Sequence, residues 1–316
     1  MGNRSVLLFV VGFIVLAFGS AMGQPPPEAK PKVHTVTIPI SIFSKRELKE
    51  NFAQEYLQTD RIIVKENGEE QEILSIRSVT DSPMSLAFII QDDLTSNFNL
   101  QIKEIKEFIL GLPRGTRVMV AYARSGSLEV RQRFTDDLER AAASMRIVAS
   151  SDISAPRSPF DPVADVLSRF DAIPAGRRAI LLFSDGVDTS GGANLASITQ
   201  SFELDRSILK AQRKSVAIYS FFSPTVNSER GNSTFPLAGQ GALAKLADET
   251  GGRSFYQGSG PPVSYLPFLK ELSLSLRRQF SLTYLSTHMK KTYYKINVTS
   301  TNPEIKIEHP RGYYYR

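Results

Sequence analysis

The chain has 316 residues, a formal net charge of +6, and neither cysteine nor tryptophan. That length can bury a core, and the missing cysteines exclude disulfides, thiolate chemistry and a cysteine-ligated zinc. Basic residues are interleaved with acids, in groups no longer than Arg277-Arg278 or Lys290-Lys291, which excludes the clustered stripe of a nucleic-acid groove.

Arg4 is followed by an almost wholly apolar run over residues 6–18, then by Gly19, Ser20, Ala21, Met22 and Gly23. A positive end, a short apolar stretch and an Ala-x-Gly site predict a secretory signal over 1–23, cleaved after Gly23. The expected location is the periplasm, the cell surface or the medium. A membrane enters only if the segment stays uncleaved as an anchor. Residues 24–32 are Pro-rich and predict an extended linker.

Residues 33–42 alternate with a period of two, and Pro39 marks an edge position. Residues 44–56 are charged, helical or irregular. Two β-rich runs, 61–65 and 71–79, flank Asn67-Gly68, a turn pair suited to positive φ and hence to a hairpin. Residues 33–82 thus read as an N-terminal β segment.

After Pro83 the pattern changes. Residues 86–90 are continuously apolar, the mark of a strand buried on both faces. Residues 98–112 place Ile102, Ile105, Phe108, Ile109 and Leu112 on one helical face. Strands are predicted at 117–123, 128–133, 178–183, 215–222 and 253–256, and helices at 138–148, 163–170, 204–214, 242–250 and 266–278. Strands alternating with helices predict a Rossmann-like, doubly wound, mostly parallel α/β sheet over 83–279. Ligands in such folds bind at the carboxyl ends of strands. Gln91-Asp92-Asp93 and Asp185-Gly186-Val187-Asp188 fall there.

β patterning returns at 280–285, 293–298 and 305–308, and Gly312-Tyr313-Tyr314-Tyr315 closes the chain. Neither β segment has enough strands for a core alone. The expectation is that 33–82 and 280–316 pair into one small β-sandwich with the α/β domain inserted between its halves.

An apolar strand, an Asp-rich loop and a later Arg177-Arg178-Ala179-Ile180-Leu181-Leu182-Phe183-Ser184-Asp185-Gly186 resemble a von Willebrand factor A (VWA) domain. The chain is most similar to the exported VWFA-related proteins of Acidobacteria-type bacteria. Val64-Lys65-Glu66-Asn67-Gly68-Glu69, Leu276-Arg277-Arg278-Gln279-Phe280 and Arg311-Gly312-Tyr313 also match that group. The resemblance implies a binding module, not an enzyme, and a metal-ion-dependent adhesion site of the pattern Asp-x-Ser-x-Ser, a loop Thr and a later Asp. Asp92, Ser96, Ser158 and Asp185 match it, but Leu94 stands where a ligating Ser belongs. The site is therefore degenerate, with Mg²⁺, Ca²⁺ or Mn²⁺ held weakly or not at all, because hard-cation affinity depends on ligand number and charge.

A shifted register, Asp93-x-Thr95-x-Asn97, restores oxygen at all three positions. Two carboxylates brought close without a metal repel. A cation, a basic side chain such as Arg157, or separation would resolve this. The three histidines, His34, His288 and His309, lack metal-motif spacing.

The leading reading is an exported module that binds an unidentified protein partner through loops at the sheet's carboxyl end, with Asp93, Thr95 and Asp188 in the partner-binding loops. A metal-free envelope scaffold is the alternative. An envelope hydrolase using Asp92 or Asp93 with Asp185 ranks behind both. Only Phe98 and Phe160 lie near those aspartates, too few aromatics for a sugar cleft.

Overall fold

The computed structural model describes residues 32–44, 62–78, 83–151, 157–173, 176–192, 200–230 and 234–315. The expected signal, nearly all of the linker and the charged stretch beyond Ser44 lie outside them. Val33–Arg316 belong to one compact unit.

The chain runs β1 (His34–Ser44), β2 (Ile62–Glu66), β3 (Glu69–Ser78), β4 (Met84–Gln91), α1 (Phe98–Leu110), β5 (Arg117–Arg124), β6 (Ser127–Thr135) and α2 (Leu138–Ala143). It continues through α3 (Asp161–Arg169), a 3₁₀ turn (Phe170–Ala172), β7 (Arg177–Ser184), α4 (Phe202–Arg213), β8 (Ala217–Phe222), α5 (Val226–Arg230) and α6 (Thr234–Thr250). Then come β9 (Ser254–Phe255), α7 (Leu266–Arg277), β10 (Gln279–Ser286), β11 (Tyr293–Ser300), β12 (Ile305–Glu308) and β13 (Gly312–Tyr314).

A six-stranded mixed sheet has the order β6-β5-β4-β7-β8-β9, parallel except for β6. Every residue of β4 is buried. The reason is its central place: Leu86, Phe88 and Ile90 enter one core, against α1, α2 and α7, while Ala87 and Ile89 enter the other, against α3, α4 and α6. Side chains alternate across a strand, so a strand covered on both faces must be apolar throughout. Each large apolar side chain buried there contributes roughly 1.5–3 kcal/mol. β5 lies on one side of β4 and β7 on the other, so the carboxyl ends of β4 and β7 flank the crevice where strand order reverses.

Three α/β expectations need correction. The predicted helix over 138–148 stops at Ala143. The backbone N–H groups of Ala149 and Ser150 instead donate to the Asp92 carbonyl at 2.9 and 3.2 Å. α5 was not foreseen, and α6 starts at Thr234, eight residues before the predicted 242. Glycines obscured that start. Gly239 lets α6 press on the loop after β7, where a Cβ at Gly239 would overlap the Asp185 carbonyl and one at Gly186 the Gly239 carbonyl.

The two β segments do pair, but not as sandwich layers. They form one curled antiparallel sheet, β12-β1-β10-β3-β2-β11-β13. β10 lies between β1 and β3, with Ile40 opposite Phe280 and Leu282 opposite Ile76. Curling lets a single sheet enclose its own core of Val36, Ile38, Ile40, Val64, Leu282 and Ile296, among others. Pro39 holds the expected edge position, although β1 as a whole is not an edge strand. β12 pairs with β1 only from Ser41 onward, so position 39 has one neighbouring strand and its missing N–H is tolerated. Among the described residues, no helix is long and apolar enough to cross a membrane.

Candidate functional site

β4 and β7 deliver three aspartates to the crevice, and each has a different environment. Asp92 is buried, and its carboxylate is gripped by Arg146, with Nη2 at 3.1 Å from Oδ2, and by the Ala149 N–H at 3.2 Å. Arg124 adds a longer contact at 3.9 Å. Asp92 therefore fastens the segment after α2 to the end of β4.

Asp93 points to the other side. It forms a close ion pair with Arg157, and both side chains are almost fully buried. Asp185, also buried, accepts from the Thr225 hydroxyl at 2.7 Å and the Val187 N–H at 3.1 Å. The charge of Arg157 acts on both carboxylates, and Asp93 and Asp185 repel each other. Gln91 ties the two strand ends, its Oε1 accepting from the Ser184 hydroxyl and the Asp185 N–H.

Burial pushes the Asp93 carboxyl up to about 6, with Asp185 adding to the rise and Arg157 and Gln91 opposing it. Burial likewise raises Asp185. A carboxyl raised in the fold contributes stability that is complete below its unfolded value, near 4, and lost as pH rises through about 6. For Asp93 this is roughly 3 kcal/mol. Urea denaturation between pH 4 and 7 should show that loss, and Asp93→Asn should flatten the slope over the same window. An unchanged slope in the variant would remove Asp93 as its source.

The loop after β7 is organised by Asp188, which is buried and accepts from Ser158 Oγ at 2.8 Å, Ser190 Oγ at 2.6 Å and, at close range, Ser201 Oγ. Next to it, the Thr189 N–H donates to the Arg157 carbonyl at 2.8 Å and the Arg157 N–H to Thr189 Oγ1 at 3.1 Å. Asp188 and Thr189 thus hold the backbone that carries Arg157.

The residues matched to the adhesion-site pattern do not converge. Asp92 is on Arg146, Ser158 is on Asp188, and Ser96 is exposed. Leu94 is fully buried in the core and bridges to Thr225. The shifted register fares better at two positions, since Asp93 and Thr95 are buried at the crevice, whereas Asn97 is exposed at the start of α1. Thr95 is held beside β8 by its N–H to the Pro224 carbonyl at 3.0 Å. Its hydroxyl has no hydrogen-bond partner among the described residues. Thr225 was missed. Its only sequence signal is its place three residues past the end of β8.

Asp93, Asp185, Thr95 and Thr225 are hard oxygen donors of the kind a dication takes. The Arg157 guanidinium lies on Asp93 within that set, so the residues do not fit a resident dication while Arg157 is there. Among the described residues no group of three or more His, Cys, Asp or Glu is placed to hold a metal ion.

Fold and site together describe a mixed α/β sheet, with a closed carboxylate–guanidinium centre at its carboxyl end and an accessory curled sheet. No family model and no curated protein matches the chain. It has a distant likeness to solved structures of VWA-type fold. An aerotolerance-related membrane protein from Bacteroides fragilis is 13% identical, with a TM-score of 0.42, over 61% of this chain and 98% of that one. BatB from Bacteroides thetaiotaomicron is 12% identical, with a TM-score of 0.43, over 61% and 97%. The SpRpn10 VWA domain is 12% identical, with a TM-score of 0.39, over 60% and 94%.

Proposed function

We propose that the protein is an exported, VWA-like binding module of the bacterial VWFA-related type, which recognises a protein partner at the carboxyl end of its mixed sheet without a resident metal. One observation carries this reading. Large apolar side chains stand exposed around the first turn of α1, with Leu100 at 77%, Ile147 at 68% and Val263 at 87% of full exposure. They adjoin one another: Asn99 Oδ1 accepts from the Val148 N–H at 2.8 Å, and Gln101 Nε2 donates to the Pro262 carbonyl at 3.1 Å. Leu266 extends the patch. Clustered apolar exposure on a rigid frame is the usual form of a protein interface.

Asp93, Thr95 and Asp188 are themselves buried, which supports a role in shaping the loops beneath the patch. The same burial, with Asp93 on Arg157 and Asp185 on Thr225, speaks against an acid–base pair that must reach substrate and water. The N-terminal pattern over residues 4–23 supports export.

Site-specific photo-crosslinking in cells that make the full chain tests the reading. A photoreactive residue at Leu100 or Val263 is expected to give an adduct with another protein. One at Leu110, which is 50% exposed at the far end of α1, is expected to give none. Equal labelling from both ends, or none from Leu100 and Val263, would overturn the proposal.

A further inference from the structure

A second surface lies at the opposite, amino end of the mixed sheet, where the curled sheet meets it. A cleft of about 1080 Å³ opens there, lined by Lys65 of β2, Lys295 and Asn297 of β11, Lys306 of β12, Arg253 before β9, and Arg311. Its carboxylates are Asp248 and Glu308. Their use is already settled. Glu308 accepts from Arg253 Nε at 2.9 Å and from Lys306 at 3.2 Å, and Asp248 from Arg311 at 2.7 Å. Arg253 Nη1 also donates to Glu271 at 2.9 Å. Those pairs fix the floor and join the two sheets.

Lys65 and Lys295 are different. Both are exposed on the cleft wall; Glu70 stands opposite Lys65 across β2 and β3 but does not line the cleft. They stand on paired strands, with Lys65 opposite Asn297 two residues from Lys295. The cleft thus offers two ammonium groups, the partly shared Lys306, and the amides of Asn67 and Asn297. An anionic ligand with spaced charges complements this set. Among the described residues no Phe, Tyr or Trp lines the cleft, so it lacks the large aromatic platforms that favour bases. The volume exceeds what a single small anion fills.

We infer that this cleft receives an acidic peptide segment of a partner protein. The carboxylates pair with Lys65 and Lys295, and the backbone of the segment meets the Asn67 and Asn297 amides. This site is separate from the apolar patch at the other end of the sheet and stands or falls without it.

Fluorescence anisotropy with the full chain and a labelled peptide of alternating Glu and Gly tests the inference. Saturable binding that weakens as salt rises is expected. Lys65→Glu with Lys295→Glu should weaken it about tenfold or more, whereas Lys103→Glu, at an exposed lysine on α1, should leave it within about twofold. The milder pair Lys65→Ala and Lys295→Ala, checked for native circular dichroism, guards against misfolding. Three results would overturn the inference: no saturable binding, equal loss in Lys103→Glu, or tighter binding of inorganic polyphosphate that depends on the same two lysines.

Discussion

Arg157→Ala is expected to destabilise the fold by about 3–5 kcal/mol at neutral pH, the range for removing one partner of a buried ion pair. Arg157 is the cation of the crevice. Without it, Asp93 and Asp185 face each other with the Thr225 hydroxyl, the Gln91 side chain and backbone N–H groups as compensation among the described residues. Two signatures would separate this cause from a simple packing loss. First, the deficit should shrink toward pH 5, because burial and the Asp185 charge already raise Asp93, and losing the guanidinium raises it further. A neutral Asp93 no longer needs a cation. Second, millimolar Mg²⁺ or Mn²⁺ should stabilise the variant and not the wild type. The vacated space is bordered by Asp93, Asp185 and Thr225, with Thr95 close by. A cation present at a hundred times its dissociation constant would add about 2.7 kcal/mol. Urea denaturation of both proteins, with and without Mn²⁺ at pH 5 and pH 7.5, measures all of this. A variant as stable as the wild type, or one with the same metal response, would show that the guanidinium is not the charge the crevice depends on.

The same crevice shows what the sequence makes legible and what it does not. Continuous apolar runs at β4 and β7 mark buried parallel strands, so the position of the Asp-rich loops follows directly. Asn67 and Gly68, at φ of 50° and 93°, make the hairpin turn that their residue types announce. The ligand register does not follow. Asp92 and Asp93 are adjacent, and a shift of one residue decides whether a carboxylate meets Arg146 or Arg157. Spacing alone favoured Asp92. The two are equally buried, and the partners favour Asp93, which faces Asp185 across Arg157. Thr225 reaches Asp185 from forty residues away, a distance no local pattern encodes. The curled sheet is a similar case, because the placement of β10 between β1 and β3 is a long-range pairing. Period-two alternation identifies strands but does not say which strand each will neighbour.

Glu66 carries the second large effect, and it lies in that curled sheet. Its carboxylate is fully buried and ties β2 to two other strands. It accepts from Tyr284 Oη at 2.9 Å and Ser286 Oγ at 2.7 Å on β10, and from Tyr313 Oη at 3.3 Å on β13. His288 Nδ1 lies 3.0 Å away. Burial, with the Glu66 charge adding to it, drives the Tyr284 hydroxyl far above its ordinary range and keeps it a donor. A Glu beside an Asn-Gly turn reads as solvent-exposed, so the sequence hides this role. The partners come from more than two hundred residues further along.

Glu66→Ala is expected to cost about 3 kcal/mol, because the buried hydroxyls lose their shared acceptor together and each unsatisfied group carries about 1–3 kcal/mol. Glu66→Gln keeps one acceptor oxygen and should lose about half as much. Denaturant titration gives the totals. Hydrogen exchange should then place the loss in β10 and β13 and leave β4 and β7 protected. Because Glu66 joins the N-terminal and C-terminal β segments through side chains as well as strand pairing, its removal should loosen both together. If Glu66→Ala lay within about 0.5 kcal/mol of the wild type, as surface substitutions do, strand pairing and the apolar core would be enough to hold the two segments together.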